Sequence, residues 1–328
     1  MIKKENRELK CLVLSAGLGT RLRPLTDSVP KPLASVVNVT LFDAAVRLCV
    51  NAGAKDLAVN THHLSDIMAR YALTHHLSLG ARSLHISKED PDILGTGGAL
   101  SALADWWDNE DLLVYNGDIL SDLPLDRLVA IHRHSENLVT MALRATPPPD
   151  GGRSVWFDAS SGLTKQISKK ADLPASIRSQ SLQEVGFACA YIASPRFRDF
   201  LPKPAVFFDL IEALNAAITA GEKVAGGIYG GFWADVGNPK SLWETNLKVA
   251  SISPAARLNL LGSDRRLGHG KISPTAIIDA ASVVGFGVSV GAGAKIERSV
   301  LLEGAQVDPG EILQDCIRGQ GLNHNFSQ

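Results

Sequence analysis

The apolar positions of this chain fall into short runs separated by polar, turn-rich stretches. Cys11–Leu14 is a continuous apolar run of strand length, which suits a strand buried on both faces. Asp43–Ala52 reads as a helix with an aspartate near its start and Gly53 as its stop. Leu57–Asn60 reads as a strand, Ser65–His76 as a helix, and the alternating Ser83–Ser87 as another strand. Asp90–Gly98 is a loop with three glycines around Thr96, and Ala99–Trp107 continues as a helix. Leu112–Tyr115 is a buried strand ending in Asn116-Gly117-Asp118; Pro124–His134 reads as a helix and Leu138–Leu143 as a strand. Thr146–Gly152 clusters chain breakers but is read as a long turn, because strand-like sequence resumes at Val155–Phe157. Val185–Ile192 then reads as a buried strand and Phe207–Thr219 as a helix closed by Gly221. Strands alternating with helices predict an α/β domain with a Rossmann-like mixed, mostly parallel sheet covered by helices on both faces.

A different period begins near Lys271. Ile272, Ile278, Val284, Val290, Ile296 and Leu302 recur every six residues, with small residues and glycines between them. Val307 arrives one position early. A six-residue repeat is the pattern of a parallel β-helix whose faces each contribute one inward aliphatic side chain per coil, here about three coils. The chain therefore divides into an α/β domain over residues 1–250, a linker over 251–270, and a short β-helix with its tail over 271–328.

Composition narrows the possibilities by exclusion. Of 328 residues, 45% are hydrophobic and 20% charged, and the formal net charge of -1 argues against nucleic acid or an anionic membrane as partner. No apolar run approaches the roughly 20 residues of a membrane span, and the charged start MIKKENRELK lacks the apolar segment of a secretory signal. Cys11, Cys49, Cys189 and Cys316 are scattered, as expected of reduced, buried thiols in a cytoplasmic protein. The doublets His62-His63 and His75-His76 have no partner at zinc-ligand spacing.

The chemistry concentrates just after the first strand. Gly17 and Gly19 let the backbone turn sharply and approach a ligand. Thr20, Arg21 and Arg23 put hydroxyl and guanidinium donors on that turn, and Lys31 stands between Pro30 and Pro32. Bare N–H groups, guanidinium forks and a braced lysine suit a polyphosphate. The third glycine of a dinucleotide fingerprint is missing, with Leu22 in its place, and so is the Gly-Lys-Ser/Thr of the P-loop. Those absences argue against a dinucleotide-binding oxidoreductase. Asp118, at the carboxyl end of a central strand, lies where ligands bind in open α/β sheets.

The run Gly17-x-Gly19-Thr20-Arg21-Leu22-x-Pro24-Leu25-Thr26, followed by Pro30-Lys31-Pro32, resembles the signature of the sugar-nucleotide pyrophosphorylases. That family joins a nucleoside triphosphate to a sugar 1-phosphate and releases pyrophosphate. The resemblance implies nucleotide contacts from Ser15, Ala16, Gly17, Gly19, Thr20 and Arg21, and a base bordered by Gly97 and Gly98 in the Leu94–Gly98 loop. It implies catalytic roles for Arg21, Lys31, Asp118 and Asp235, the last in the matching segment Trp233-x-Asp235-x-Gly237, with Mg²⁺ as cofactor on Asp118 and Asp235. The family's Glu-Lys-Pro sugar-phosphate segment is replaced by Ser168-Lys169-Lys170, so Lys169 is the matching lysine, the alternative being a solvated basic turn. Cys189 falls where the family often has glycine. The tail resembles the short left-handed β-helix of mannose-1-phosphate guanylyltransferases; with so few coils it leaves an apolar open end, which predicts a homo-oligomer through Lys271–Ile317. GTP and mannose 1-phosphate are the expected substrates. Because Thr96-Gly97-Gly98 is shared with N-acetylmuramate-1-phosphate uridylyltransferases, UTP stays open. A non-catalytic, nucleotide-sugar-sensing subunit is the rival of another class, and the presence of Arg21, Lys31, Asp118 and Asp235 favours an enzyme.

Overall fold

The computed structural model describes residues 7–149, 152–263 and 266–326. The extreme N-terminus, Asp150 and Gly151 of the breaker cluster, two residues of the expected linker and the last two of the tail lie outside the described residues. In chain order, β1 (Leu9–Leu14) leads into a long loop of short 3-10 turns, then the small hairpin β2 (Ser35–Val36) and β3 (Val39–Thr40). There follow α1 (Leu41–Asn51), β4 (Asp56–Thr61), α2 (Ser65–His75), β5 (Ser83–Lys88), α3 (Gly95–Ala102) and α4 (Ala104–Trp107). Next come β6 (Asp111–Asn116), β7 (Ile119–Ser121), α5 (Leu125–Arg133), β8 (Val139–Arg144), β9 (Ser154–Asp158) and β10 (Leu163–Ser168). The α/β part ends with α6 (Ala175–Arg178), β11 (Gln183–Ala193), α7 (Leu210–Thr219), β12 (Val224–Ile228), β13 (Trp233–Asp235) and α8 (Pro239–Ser251).

Nine strands form one sheet in the order β5-β4-β1-β6-β11-β8-β12-β10-β9. The parallel character expected from strand–helix alternation holds for β5-β4-β1-β6. Beyond β6 the sheet is mixed: β11 runs antiparallel to both β6 and β8, while β12 is parallel to β8. Both faces are covered. Cys11, Val13, Leu57, Val59 and Leu113 share a core with α1, α2 and α5, whereas Leu12, Ala58, Leu112 and Val114 share one with α3, α4 and α7. Two-sided burial is why β1 reads as an unbroken apolar run instead of an alternating one. The α1 helix starts two residues earlier than its pattern suggested, because the Thr40 side chain accepts from the Asp43 N–H at 3.0 Å and caps it. The glycine-rich loop is shorter than expected, since α3 already begins at Gly95.

The C-terminal repeat folds as parallel ladders on three faces. Ile272, Val290 and Val307 stack on one, and Ile278, Ile296 and Leu313 on the second. On the third, Val284 stacks on Leu301 and not on the expected Leu302. The register slips between Ile296 and Leu301, at a corner where Arg298 takes φ 42°. Leu302 therefore faces outward, toward the α/β part.

That outward face is no free surface. Val283, Val300, Leu302, Ile317 and Leu322 form one apolar cluster with Leu22 and Leu25 of the first loop and Leu242 and Val249 of α8. The Trp243 indole N–H donates to the Arg298 carbonyl at 2.9 Å, and Asn38 donates to the Val284 carbonyl at 3.0 Å. Residues 251–270, read as plain linker, carry α9 (Pro254–Leu261), whose Leu261 joins the same cluster. A bridge from Leu267 to Val284 starts the β-helix before Lys271. Among the described residues, no helix is long and apolar enough to cross a membrane.

Candidate active site

From β1 the chain goes to β4 and β5 on one side and later to β6 on the other. The loops after β1 and β6 therefore part at their carboxyl ends and leave a crevice. A cavity of about 220 Å³ lies there, lined by Ser15, Ala16 and Gly17 of the first loop, by Lys31, by Asn116 and Asp118 after β6, and by Gly95 and Thr96 of α3.

The first loop is held by its own sequence. Gly19 takes φ 63°, and a Cβ there would lie 2.8 Å from the Thr26 methyl. The Thr26 hydroxyl donates to the Gly19 carbonyl at 2.9 Å, and the His63 ring bonds the Thr26 carbonyl at 2.6 Å. Gly19 thus serves the fold-back of the loop. Gly17, exposed with nothing within 4 Å of a built Cβ, leaves bare backbone to a ligand. Thr20 and Arg21 are exposed on the following turn. The Arg21 guanidinium points to the far side of the crevice, 3.1 Å from where a Cβ on Gly237 would stand.

Lys31 is only 8% exposed. Its Nζ pairs with the Asp118 carboxylate and lies 3.9 Å from Asp235 Oδ1. Two features bring in Asp118 and Asp235, which are far apart in sequence. Gly117 donates to the Leu14 carbonyl at 2.9 Å, and a side chain there would strike that carbonyl, so the β6 turn hugs β1. The β13 strand pairs antiparallel with β7, setting Asp235 opposite Ile119. Burial pushes the Asp235 carboxyl above its ordinary range, the Asp118 charge adds to this, and Lys31, Arg21 and Arg144 oppose it. Two carboxylates converging on one point suit a hard cation that completes its shell with phosphate oxygens and water. No cluster of three or more potential ligands exists among the described residues, so the rest of that shell would come from substrate and solvent.

Not every expected site residue lines the cavity: Gly19, Thr20, Arg21 and Asp235 stand outside its wall, and so do three others. Gly97 and Gly98 do not line the cavity. They are buried against the chain entering α7, where a Cβ on Gly98 would come 2.2 Å from the Val206 carbonyl and one on Gly97 2.8 Å from the Phe208 ring. Their smallness allows α3 to pack, and Gly95 and Thr96 take the cavity wall. Lys169 is exposed just beyond β10 and is not among the cavity-lining residues. Cys189 occupies an irregular stretch of β11 at φ 61°, and burial, then the charges of Asp118 and Asp235, push its thiol up to about 12. It stays a thiol near neutral pH, which is inert as a nucleophile.

Sequence reasoning missed Asn60 and Glu89. The Ser15 N–H donates to Asn60 Oδ1 at 2.7 Å, Asn60 Nδ2 donates to Glu89 Oε1 at 2.8 Å, and the Leu94 N–H donates to Glu89 Oε2 at 2.7 Å. Both residues line the cavity, and Glu89 is 2% exposed. The available signal was their place at the carboxyl ends of β4 and β5, beside the switch in strand order. The histidine doublets bond carbonyl oxygens, His62 that of Glu89 and His75 that of Tyr71.

Residues 10–252 match the nucleotidyl transferase family. A mannose-1-phosphate guanylyltransferase of Mycobacterium tuberculosis (strain ATCC 25618 / H37Rv) is 26% identical over 310 residues, covering 94% of this chain and 83% of that protein. A mannose-1-phosphate guanylyltransferase catalytic subunit beta of Danio rerio is 28% identical over 325 residues, covering 95% of this chain and 86% of that protein. A crystal structure of a Bacillus anthracis protein assigned as glucose-1-phosphate thymidylyltransferase, in complex with sucrose, superposes with a TM-score of 0.63 at 19% identity. The match covers 75% of this chain and 96% of that one.

Proposed function

Since the chain belongs to the nucleotidyl transferase family, we propose that it joins GTP to mannose 1-phosphate, releasing GDP-mannose and pyrophosphate. The observation that carries this reading is the convergence of Lys31, Asp118 and Asp235 at the edge of a cavity walled by bare backbone. A phosphate oxygen of the sugar phosphate attacks the α-phosphorus in line. A new O–P bond forms, the bond to the β-phosphate bridging oxygen breaks, and pyrophosphate leaves with that electron pair. No protein nucleophile is needed, so the protein contributes position and charge. Arg21 holds the leaving end of the triphosphate. Lys31 sits between the α-phosphate and the incoming phosphate, and its pairing with Asp118 fixes its amine there. Ser15, Ala16 and Gly17 lay their backbone along the phosphates. Asp118 and Asp235 would hold Mg²⁺, which would supply charge neutralisation to the phosphates.

Gly95 and Thr96 wall the cavity where the base would sit, and the relatives named as mannose-1-phosphate guanylyltransferases support guanine as that base. With hexose 1-phosphates tested against the four nucleoside triphosphates and pyrophosphate release measured, GTP gives the highest kcat/KM, because a site that hydrogen-bonds one base edge rejects another strongly. A preference for UTP with every sugar phosphate overturns the guanine assignment in favour of a uridylyltransferase. The protein also assembles with itself through residues 271–317, where Ile277 and Ile312, at 61% and 64% exposure, flank the exposed Lys295 on one outer face of the β-helix. Light scattering at micromolar concentration then gives more than one chain mass, and a monomer refutes it.

A further inference from the structure

Arg144, the last residue of β8, is a cation without a protein anion. Its guanidinium carbon lies 3.6 Å from the centroid of the Trp233 ring. Gly186, its ladder partner in β11, has no side chain; a Cβ there would come 3.3 Å from Arg144 Nη2. The fork is thus over an indole and approached by bare backbone. Trp233 is itself fixed, donating its indole N–H to the Ala188 carbonyl at 3.0 Å. Trp233 and Asp235 are two residues apart on β13, so they project to the same face. Arg144 therefore stands on the side of the crevice where Asp235 meets Lys31.

Arg144 makes no hydrogen bond or ion pair among the described residues, and its Nε is buried without a partner. A half-buried guanidinium left unpaired is costly, and burial already lowers its pKa. Asp235 does not neutralise it by contact: the carboxylate's ion pairing is with Lys31. A rigid, stacked fork with free donors matches the two oxygens of a phosphate. Neither Arg144 nor Lys169, the expected partner of the sugar phosphate, lines the cavity wall itself, but Arg144 is near enough to Asp235 for its charge to act on that carboxyl.

Resting on the sugar-1-phosphate nucleotidyltransferase reading, we infer that Arg144, stacked on Trp233, binds the phosphate of the incoming sugar 1-phosphate and holds it beside Lys31 and Asp235. It fixes the nucleophile, while Arg21, beside Gly237, holds the leaving end.

The test is a KM-against-kcat comparison of Arg144→Lys, Arg144→Met and Lys169→Ala in the full chain, with mannose 1-phosphate or whichever hexose 1-phosphate the parent turns over. Lost charge-assisted hydrogen bonds predict that Arg144→Met raises KM for the sugar phosphate about 10- to 100-fold. Arg144→Lys keeps the charge without the fork and falls between Arg144→Met and the parent. KM for the nucleoside triphosphate stays within about twofold in both, which also reports an intact fold, and Lys169→Ala leaves the sugar-phosphate KM unchanged. Equal rises in both KM values, no rise in Arg144→Met, or a larger rise in Lys169→Ala overturns the inference while leaving the functional reading standing. A parent that releases pyrophosphate with no sugar phosphate overturns the functional reading, and the inference falls with it.

Discussion

Asp118→Asn and Asp235→Asn each lower turnover by about 100- to 1,000-fold, the usual loss when a preorganised charge is removed from the transition state. EDTA is expected to abolish turnover in the parent. The two variants differ in stability. Asp118 is the ion-pair partner of the nearly buried Lys31, so Asp118→Asn weakens a fixed contact and lowers the melting temperature. Asp235 is the opposite case, because its carboxyl is pushed up by burial and by Asp118. Below the unfolded carboxylate range it is protonated in both states and costs nothing. As pH rises through its raised folded value, ionisation is disfavoured in the folded state, and stability falls relative to a neutral side chain. At neutral pH Asp235→Asn therefore keeps or raises the melting temperature while losing activity, as functional sites that hold unfavourable charge do. Thermal unfolding beside steady-state kinetics reads both signs. Full activity in the double variant, or unimpaired turnover in EDTA, refutes the paired-carboxylate metal site.

Deleting everything after Gly270 costs the fold, not merely an assembly contact. The deletion strips Val283, Val300, Leu302, Ile317 and Leu322 from a core they share with Leu22, Leu25, Leu242 and Val249. Burying one such side chain contributes about 1.5–3 kcal/mol, so five of them rival the roughly 5–15 kcal/mol stability of a whole protein. The damage reaches the site, because Leu22 and Leu25 brace the loop that carries Arg21 and Lys31, and Gly321 lies against Pro24. The truncated chain is expected to aggregate or to melt more than about 10 °C below the parent. Circular dichroism melting decides this; a truncated protein with the parent's melting temperature and kcat shows the β-helix to be a dispensable appendage.

The sequence by itself determined the α/β order, the six-residue repeat and the signature loop. These rest on short-range rules: two-sided burial shows as an unbroken apolar run at Cys11–Leu14, a β-helix shows as a fixed period, and a phosphate loop needs glycines and cations at close spacing. It also placed Arg21, Lys31, Asp118 and Asp235 in one site, though by resemblance, since no local rule joins Asp118 to Asp235. Only the tertiary structure supplied the link, through the antiparallel pairing of β7 with β13. Tertiary structure likewise decided which glycine does what. Gly17, Gly97 and Gly98 look alike in sequence, yet one faces open space and two face the chain entering α7. The single-residue slip that turns Leu302 outward merges the two parts into one core, and a six-residue period cannot report which way a residue after a slip will point. Asn60, Glu89 and Arg144 were invisible for the same reason: each is an ordinary polar residue at a strand end, and its role arises from neighbours contributed by other strands.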